Sequence, residues 1–441
     1  MRAARDAPGR QGVAQQLASL IEQLLGGRLP LRLRAWDGST AGPAPEAGAP
    51  VVVLRSRRAL RRLLWQPDEL GLAQAYITGE IDIEGDLADG LRSIWSAVRG
   101  RGLQAPRVSL ADRSRAAGIA LRLGAAGPRP PAPSSQARLD GLPHSKARDR
   151  AAISHHYDLS NDFYALLLDE TMAYSCGYWT SEDPGYGPAD AQRDKLELIC
   201  RKLRLQPGMR LLDIGCGWGS LTLYAAQEYK AQVTAVTPAR EQAEYVRAQV
   251  RERELEGLVD VQHCDYRDIE GGWYEAVSTV EMGEHVGDAE YPAFAATLHR
   301  MLRPQGRLLV QQMSRGSVAP GGGAFIESYI APDMHMRPVG ATVSLLEDAG
   351  LEVRAVESLR EHYARTVGAW HTTLEDRWDE FTALVGEETA RVWRLYLVGG
   401  RLAFEERRMG VDQILAVRPT VDGHSGMPAT PRAWYEGGGR R

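Results

Sequence analysis

The stretch from Met209 to Tyr229 constrains the chain most. An apolar strand, MRLLDI (Met209 to Ile214), stops at the run Gly215-Cys216-Gly217-Trp218-Gly219, and helix-period residues follow from Ser220 to Tyr229. Glycines allow a tight turn and a close approach of backbone to ligand, and a helix N-terminus presents free amides. The next strand, AQVTAVT (Ala231 to Thr237), leads through Pro238 into a helix that runs towards Arg253. Further strand candidates lie at Val259 to His263, Glu275 to Glu281, Arg307 to Met313, Val353 to Glu357 and Gln413 to Val417. This alternation predicts an α/β fold with a mostly parallel seven-stranded sheet, helices on both faces and ligands beyond the C-terminal strand ends.

The glycine run narrows the ligand. A dinucleotide site wants GxGxxG and an acid about 20 residues further on to hold the ribose. This chain has GCGWG, and its second strand ends at Val236-Thr237 without an acid. With Asp213 just ahead of the glycines, the loop suits S-adenosylmethionine better than a nicotinamide cofactor; a plain strand-helix turn is the alternative.

Organisation and charge add a second theme. The Pro-rich segment Gly124 to Ser145 has linker composition, so the expected domains are 1–123, a linker over 124–147, and 148–441. The first domain reads as α+β: a helix at Val13 to Leu25, a strand at Val51 to Leu54, a basic helix at Ser56 to Leu64 and the run AYITGEIDIEGDL. The net charge is only -4, but residues 91–150 hold twelve Arg or Lys against three acids, a local +9. A basic stretch inside an acidic protein suits phosphate, from nucleic acid or anionic lipid. Nucleic acid is excluded as the partner, because the stretch is interrupted by the linker, has Trp95 as its one aromatic and shows no helix-turn-helix or finger pattern. Ser109 to Ala126 instead mixes Leu, Ile and Ala with Arg at helical spacing, as an interfacial helix or a solvated one would. The four cysteines make no metal-ligand pattern, and neither a signal peptide nor a run of about 20 apolar residues is present. The expectation is a cytoplasmic protein, peripheral on the inner face of the membrane.

Several segments then occur in a telling order. They are HHYDLSNDFYALLLDETMAYSCGYW (His155 to Trp179), LLDIGCGWGSL (Leu211 to Leu221), VTAVTPAREQ (Val233 to Gln242), DYRDI (Asp265 to Ile269), EMGEHVG (Glu281 to Gly287), FIESYIAP (Phe325 to Pro332), HYARTVGAW (His362 to Trp370) and WRLYL (Trp393 to Leu397). Together they resemble the cyclopropane fatty acid synthases and their mycolic-acid relatives, Rossmann-like methyltransferases that use S-adenosylmethionine on lipid double bonds. The resemblance spans roughly Ala152 to Pro419, and TGEIDIEGDL (Thr78 to Leu87) extends it to the N-terminal domain of the full-length synthases. It implies that Tyr174 and Ser175 meet the methionine end of the cofactor beside Asp213, Gly215, Gly217 and Gly219. Thr237 and Gln242 would hold the ribose, and Asp265, Tyr266, Arg267 and Trp273 would flank the adenine. Core packing is the alternative for Tyr174 and Trp273.

The resemblance also implies chemistry. Attack of an alkene on the sulfonium methyl leaves a carbocation, water must be excluded, and a base must remove a proton. In the family that base is bicarbonate held by a Cys, a Glu, a His and a Tyr. Cys176, Glu284 and Tyr396 match three of these positions, while Gln311 stands at the histidine's place in LVQQM. Glutamine can hydrogen-bond an anion but carries no charge. Glu281 is an extra carboxylate on the same strand end, and His285 is either an acid-base group or a structural histidine. The expected product is a 10-methylene acyl chain, precursor of tuberculostearic acid, made on oleoyl-type chains of membrane phospholipids and saturated by a separate reductase. A cyclopropane ring from the same cation, a methyltransferase of a soluble metabolite, and a non-catalytic lipid-binding module are the alternatives. Whether the chain works as a homodimer stays open.

Overall fold

The computed structural model describes residues 11–25, 27–44, 46, 49–99, 110–137, 148, 160–316 and 323–432. These fall into two compact units: residues 1–136 with 386–402, and residues 137–385 with 403–441.

The first unit carries four strands, β1 (Arg32–Arg34), β2 (Thr40–Ala41), β3 (Val51–Leu54) and β4 (Ile81–Glu84), in the order β2-β1-β3-β4. Helices Val13–Leu25, Arg57–Trp65, Glu69–Ile77, Leu87–Arg99 and Leu110–Arg122 accompany them, so the unit is α+β. Arg62 fastens its centre. Its guanidinium donates to both Glu80 carboxylate oxygens at 3.0 Å, to Gln74 Oε1 at 3.2 Å and to the Pro131 carbonyl at 3.0 Å. The fork geometry lets one buried cation satisfy four acceptors.

This packing changes the domain boundary. The start of the Pro-rich segment was expected to be a free linker, but it lies on the first unit: Arg61 donates to the Ala125 carbonyl, Trp65 Nε1 to the Gly127 carbonyl, and Ser134 and Ser135 to Glu388. Proline-rich chain has few donors of its own, yet its carbonyls are good acceptors for neighbouring Arg and Trp. The stretch Gly386–Leu402 also joins this unit, where Val398 and Leu402 pack with Tyr76, Leu87 and Ala88. It follows a break in the helix Trp378–Glu405 at Gly386, whose φ is +80. Residues 138–147 of the expected linker, and His155 to Leu159 of the entry segment, lie outside the described residues.

The second unit holds β5 (Arg210–Ile214), β6 (Gln232–Thr237), β7 (Val259–His263), β8 (Tyr274–Val280), β9 (Leu302–Arg315), β10 (Glu352–Ser358) and β11 (Met409–Val417). Their order is β10-β11-β9-β8-β5-β6-β7, and β11 alone runs antiparallel to its two neighbours. The central strands read as continuous apolar runs because both faces are covered. Helices Pro188–Leu203, Ser220–Tyr229 and Arg240–Glu252 close one face over Leu211, Val233 and Ala235. Helices Tyr291–Met301 and Val339–Asp348 close the other over Leu212, Val277, Leu308 and Ile414.

Candidate active site

Strand β5 ends at Ile214, and the chain turns through Gly215, Gly217 and Gly219 at φ values of +78, +54 and +84. Each lies in the left-handed region that favours glycine. The amides of Gly215 and Cys216 both donate to the Val236 carbonyl, at 2.9 and 3.0 Å, which ties the loop to β6. A Cβ at Gly219 would stand 3.0 Å from both Val246 methyls, whereas one at Gly217 would meet nothing within 4 Å. Gly219 therefore serves packing, and Gly217 keeps the wall of a cavity bare.

That cavity lies over the C-terminal ends of β5, β6 and β8. Tyr174, Ser175, Asp213, Gly215, Gly217, Thr237, Gln242, Asp265, Tyr266, Arg267, Glu281 and His285 all line it. Asp213 accepts from Thr222 Oγ1 at 2.8 Å and Ser278 Oγ at 2.9 Å, linking β5 to the following helix and to β8, and burial raises its pKa. Thr237 Oγ1 donates to Gln242 Oε1 at 2.8 Å, which leaves Gln242 Nε2 buried without a partner among the described residues. A buried donor of this kind costs about 1–3 kcal/mol unless a ligand acceptor meets it. A ribose hydroxyl supplies such an acceptor, so the residues present fit S-adenosylmethionine. Asp265 is held by the Arg267 side chain, with Nε on Oδ1 at 2.7 Å and Nη2 on Oδ2 at 2.6 Å. Ser175 Oγ accepts from Lys195 Nζ at 2.9 Å, and burial lowers the pKa of that lysine.

Trp273 does not join the site. It stands just ahead of β8, at the strand's N-terminal end, 62% exposed, whereas the cavity lies at the C-terminal end.

The far wall is built around Glu281, which directly follows β8 and has φ +52, a strained value for a residue with a Cβ. Glu281 Oε1 accepts from the Cys176 amide at 2.8 Å and from Gln311 Nε2 at 2.9 Å; Oε2 accepts from the Tyr363 hydroxyl at 2.6 Å. Behind Gln311 the polar chain continues. Gln413 Nε2 donates to Gln311 Oε1 at 2.9 Å, Lys202 Nζ donates to Gln413 Oε1 at 2.7 Å, and Lys202 also pairs with Glu357. Burial raises the Glu281 pKa, against the pull of these donors and of Lys195.

The other expected residues are placed differently. The Cys176 side chain is wholly buried and turns to the carbonyls of Gly177 and Leu359, at 3.2 and 3.7 Å. Burial, then the Glu281 charge, raises its pKa well above the usual thiol value, so it is a thiol and only its amide reaches the wall. Glu284 is fully buried, does not line the cavity, and neither carboxylate oxygen has a hydrogen-bond partner among the described residues. Burial and the Glu281 charge push it up to about 8. Burial pushes His285 down to about 4, which keeps it neutral. Tyr396 belongs to the first unit, edge-on to Trp393 at 5.5 Å. The hydroxyl that meets the pocket carboxylate is that of Tyr363, within the HYARTVGAW segment, on the helix Arg360–Asp376. A bicarbonate ion does not fit this donor set, because the Cys176 amide, Gln311 Nε2 and Tyr363 hydroxyl already face the carboxylate of Glu281.

The sheet order, the glycine loop at its switch point and the buried donor facing the cavity define an S-adenosylmethionine-dependent methyltransferase. Residues 144–414 match the family described as mycolic acid cyclopropane synthetase, and the chain belongs to that family. It is 37% identical over 427 residues to a probable fatty acid methyltransferase of Pseudomonas putida, covering 95% of this chain and 100% of the relative. It is 30% identical over 401 residues to the tuberculostearic acid methyltransferase UfaA1 of Mycobacterium tuberculosis, covering 88% of each. The solved mycolic acid cyclopropane synthase CmaA1, in complex with SAH and CTAB, superposes with a TM-score of 0.57 at 30% identity, over 60% of this chain and 97% of that one.

Proposed function

We propose that the protein transfers the methyl group of S-adenosylmethionine to the cis double bond of oleoyl-type chains in membrane phospholipids and releases a 10-methylene acyl chain. The observation that carries this reading is the single cavity that joins the glycine loop to a wall holding the Glu281 carboxylate. The cofactor supplies an electrophilic methyl group. The protein's own groups orient the acyl chain against it, exclude water from the cation and provide an acceptor for the proton. The likeness to a tuberculostearic acid methyltransferase supports the methylene outcome, and the uncharged Gln311 in place of the family's histidine is consistent with a changed last step. A separate reductase would then saturate the product. Lipids from an oleate-fed host expressing the protein should show vinylidene protons in the NMR spectrum; ring protons alone would assign the cyclopropane product instead.

The first unit supports work at a bilayer surface on the inner face of the membrane. It exposes Leu64, Trp65 and Leu121 on helices that also carry Arg57, Arg58 and Arg122, and Leu72 on the helix Glu69–Ile77. An apolar edge rimmed by guanidinium groups suits an anionic headgroup layer. No helix among the described residues is long and apolar enough to cross a membrane. Binding to anionic vesicles should weaken as salt rises; binding indifferent to salt would remove the electrostatic part of this reading.

A further inference from the structure

We infer that the carboxylate of Glu281 is itself the base that ends the reaction, standing in for the bicarbonate of related enzymes, and that this protein works without bicarbonate. The inference rests on the lipid methyltransferase reading above and names the group that takes the proton. Three donors from distant parts of the chain, at residues 176, 311 and 363, converge on one side-chain carboxylate in the cavity wall. Such a donor set binds a small oxyanion, and here the anion is covalently part of the chain, one residue beyond β8. Its backbone at φ +52 is the strained conformation that brings the carboxylate there.

The hydrogen-bond chain behind it has one direction. A lysine ammonium can only donate, so Gln413 must turn its oxygen to Lys202 and its NH2 to Gln311. Gln311 must then offer its own NH2 to Glu281 Oε1, which also receives the Cys176 amide. Both lone pairs of Oε1 are engaged, while Oε2 has the Tyr363 hydroxyl and one lone pair left among the described donors. The proton therefore goes to Oε2. In the step itself the alkene π pair forms the new C–C bond as the C–S bond breaks and leaves its pair on sulfur. The hydride on the methylated carbon then shifts with its electron pair to the neighbouring cation, a C–H bond of the new methyl group breaks, its pair closes the exocyclic double bond, and its proton adds to Glu281 Oε2. Gln311, Gln413 and Lys202 are positioning residues in this scheme.

The test uses the full chain, S-adenosylmethionine and dioleoyl phosphatidylglycerol vesicles in carbon dioxide-free buffer, with and without added bicarbonate. The unaltered protein should form product at the same rate in both. Glu281→Gly, which suits the left-handed backbone and so should fold, should lose about 100-fold or more without bicarbonate and regain much of it when the ion is added. Glu281→Gln fills the space with a group that accepts no proton and should be slow in both. A bicarbonate requirement in the unaltered protein, or full activity of Glu281→Gly without the ion, overturns the inference. A second readout is independent of turnover: line broadening of 13C-bicarbonate by Glu281→Gly but not by the unaltered protein supports it, and any other pattern overturns it. If the unaltered protein methylates no acyl chain in either buffer, the substrate reading fails, and the 13C measurement still decides the carboxylate's place.

Discussion

At the glycine end of the cavity the loop and the groups that hold it, from Asp213 to Gln242, come from thirty consecutive residues. At the Glu281 end the surface is a side chain, held by atoms from residues 176, 311 and 363, with 413 and 202 behind them. One end is a local device shared by many sheets of this type. The other is assembled by the tertiary fold and can be rebuilt by a few substitutions without disturbing the first. The two ends should therefore fail separately, one as cofactor binding and the other as turnover.

The largest expected effect is at the glycine end. Gly219→Val adds a branched side chain at φ +84, where a Cβ already stands 3.0 Å from both Val246 methyls, and should lower stability by about 2–4 kcal/mol and abolish cofactor binding. Gly217→Ala, with open space around it, should show only the smaller backbone strain of about 1–2 kcal/mol. Thermal denaturation and calorimetric titration with S-adenosylmethionine check both. At the other end, Gln413→Leu removes one acceptor from Lys202, which keeps Glu357, and takes the donor from Gln311 Oε1, so it should lower kcat by roughly tenfold or more with the KM for the cofactor unchanged. Steady-state kinetics that show the KM rising instead would mean the two ends are one unit. Gln242→Ala should do the reverse, raising the cofactor KM by up to roughly tenfold at constant kcat.

Glu284 separates structure from chemistry through pH. Its carboxyl sits at about 8 in the folded protein against an ordinary 4.5, so between these values the folded state holds a proton that the unfolded chain has lost. Stability must fall as pH rises through that window, and Glu284→Gln should flatten the fall, as urea unfolding across the range would show. The smallest effect belongs to Trp273→Ala, which should leave the cofactor KM unaltered, since the ring is at the opposite end of β8 from the cavity.

The same contrast explains what could be read from residue order. All seven strands of the main sheet and the glycine loop announce themselves through apolar runs and turn residues, because each is a property of adjacent positions. That β11 enters antiparallel between β9 and β10 has no such mark, because pairing to two distant strands is not a property of adjacent positions. Tyr363 sits in a segment that resembles the family, and only the fold shows that its hydroxyl reaches the carboxylate. Glu281 reads as an extra carboxylate beside Glu284, yet it is Glu281 that gathers the donors, while the buried Glu284 carboxylate has none among the described residues. The Pro-rich composition suggested a loose tether, and the acceptors that bind part of it to the first unit are main-chain carbonyls, which composition does not display.

The helical stretch Gly386–Leu402 sets the order in which the chain can be finished. The first unit starts near the N-terminus, but Val398 and Leu402 are part of its packing, and more than two hundred residues of methyltransferase sheet are translated before they emerge. Domains usually fold one after another as they leave the ribosome. Here the unit synthesised first is completed nearly last, so a fragment cut at residue 136 would leave the Tyr76 and Leu87 side of that unit uncovered, and expression of the two halves as separate, contiguous pieces should yield an aggregation-prone first half.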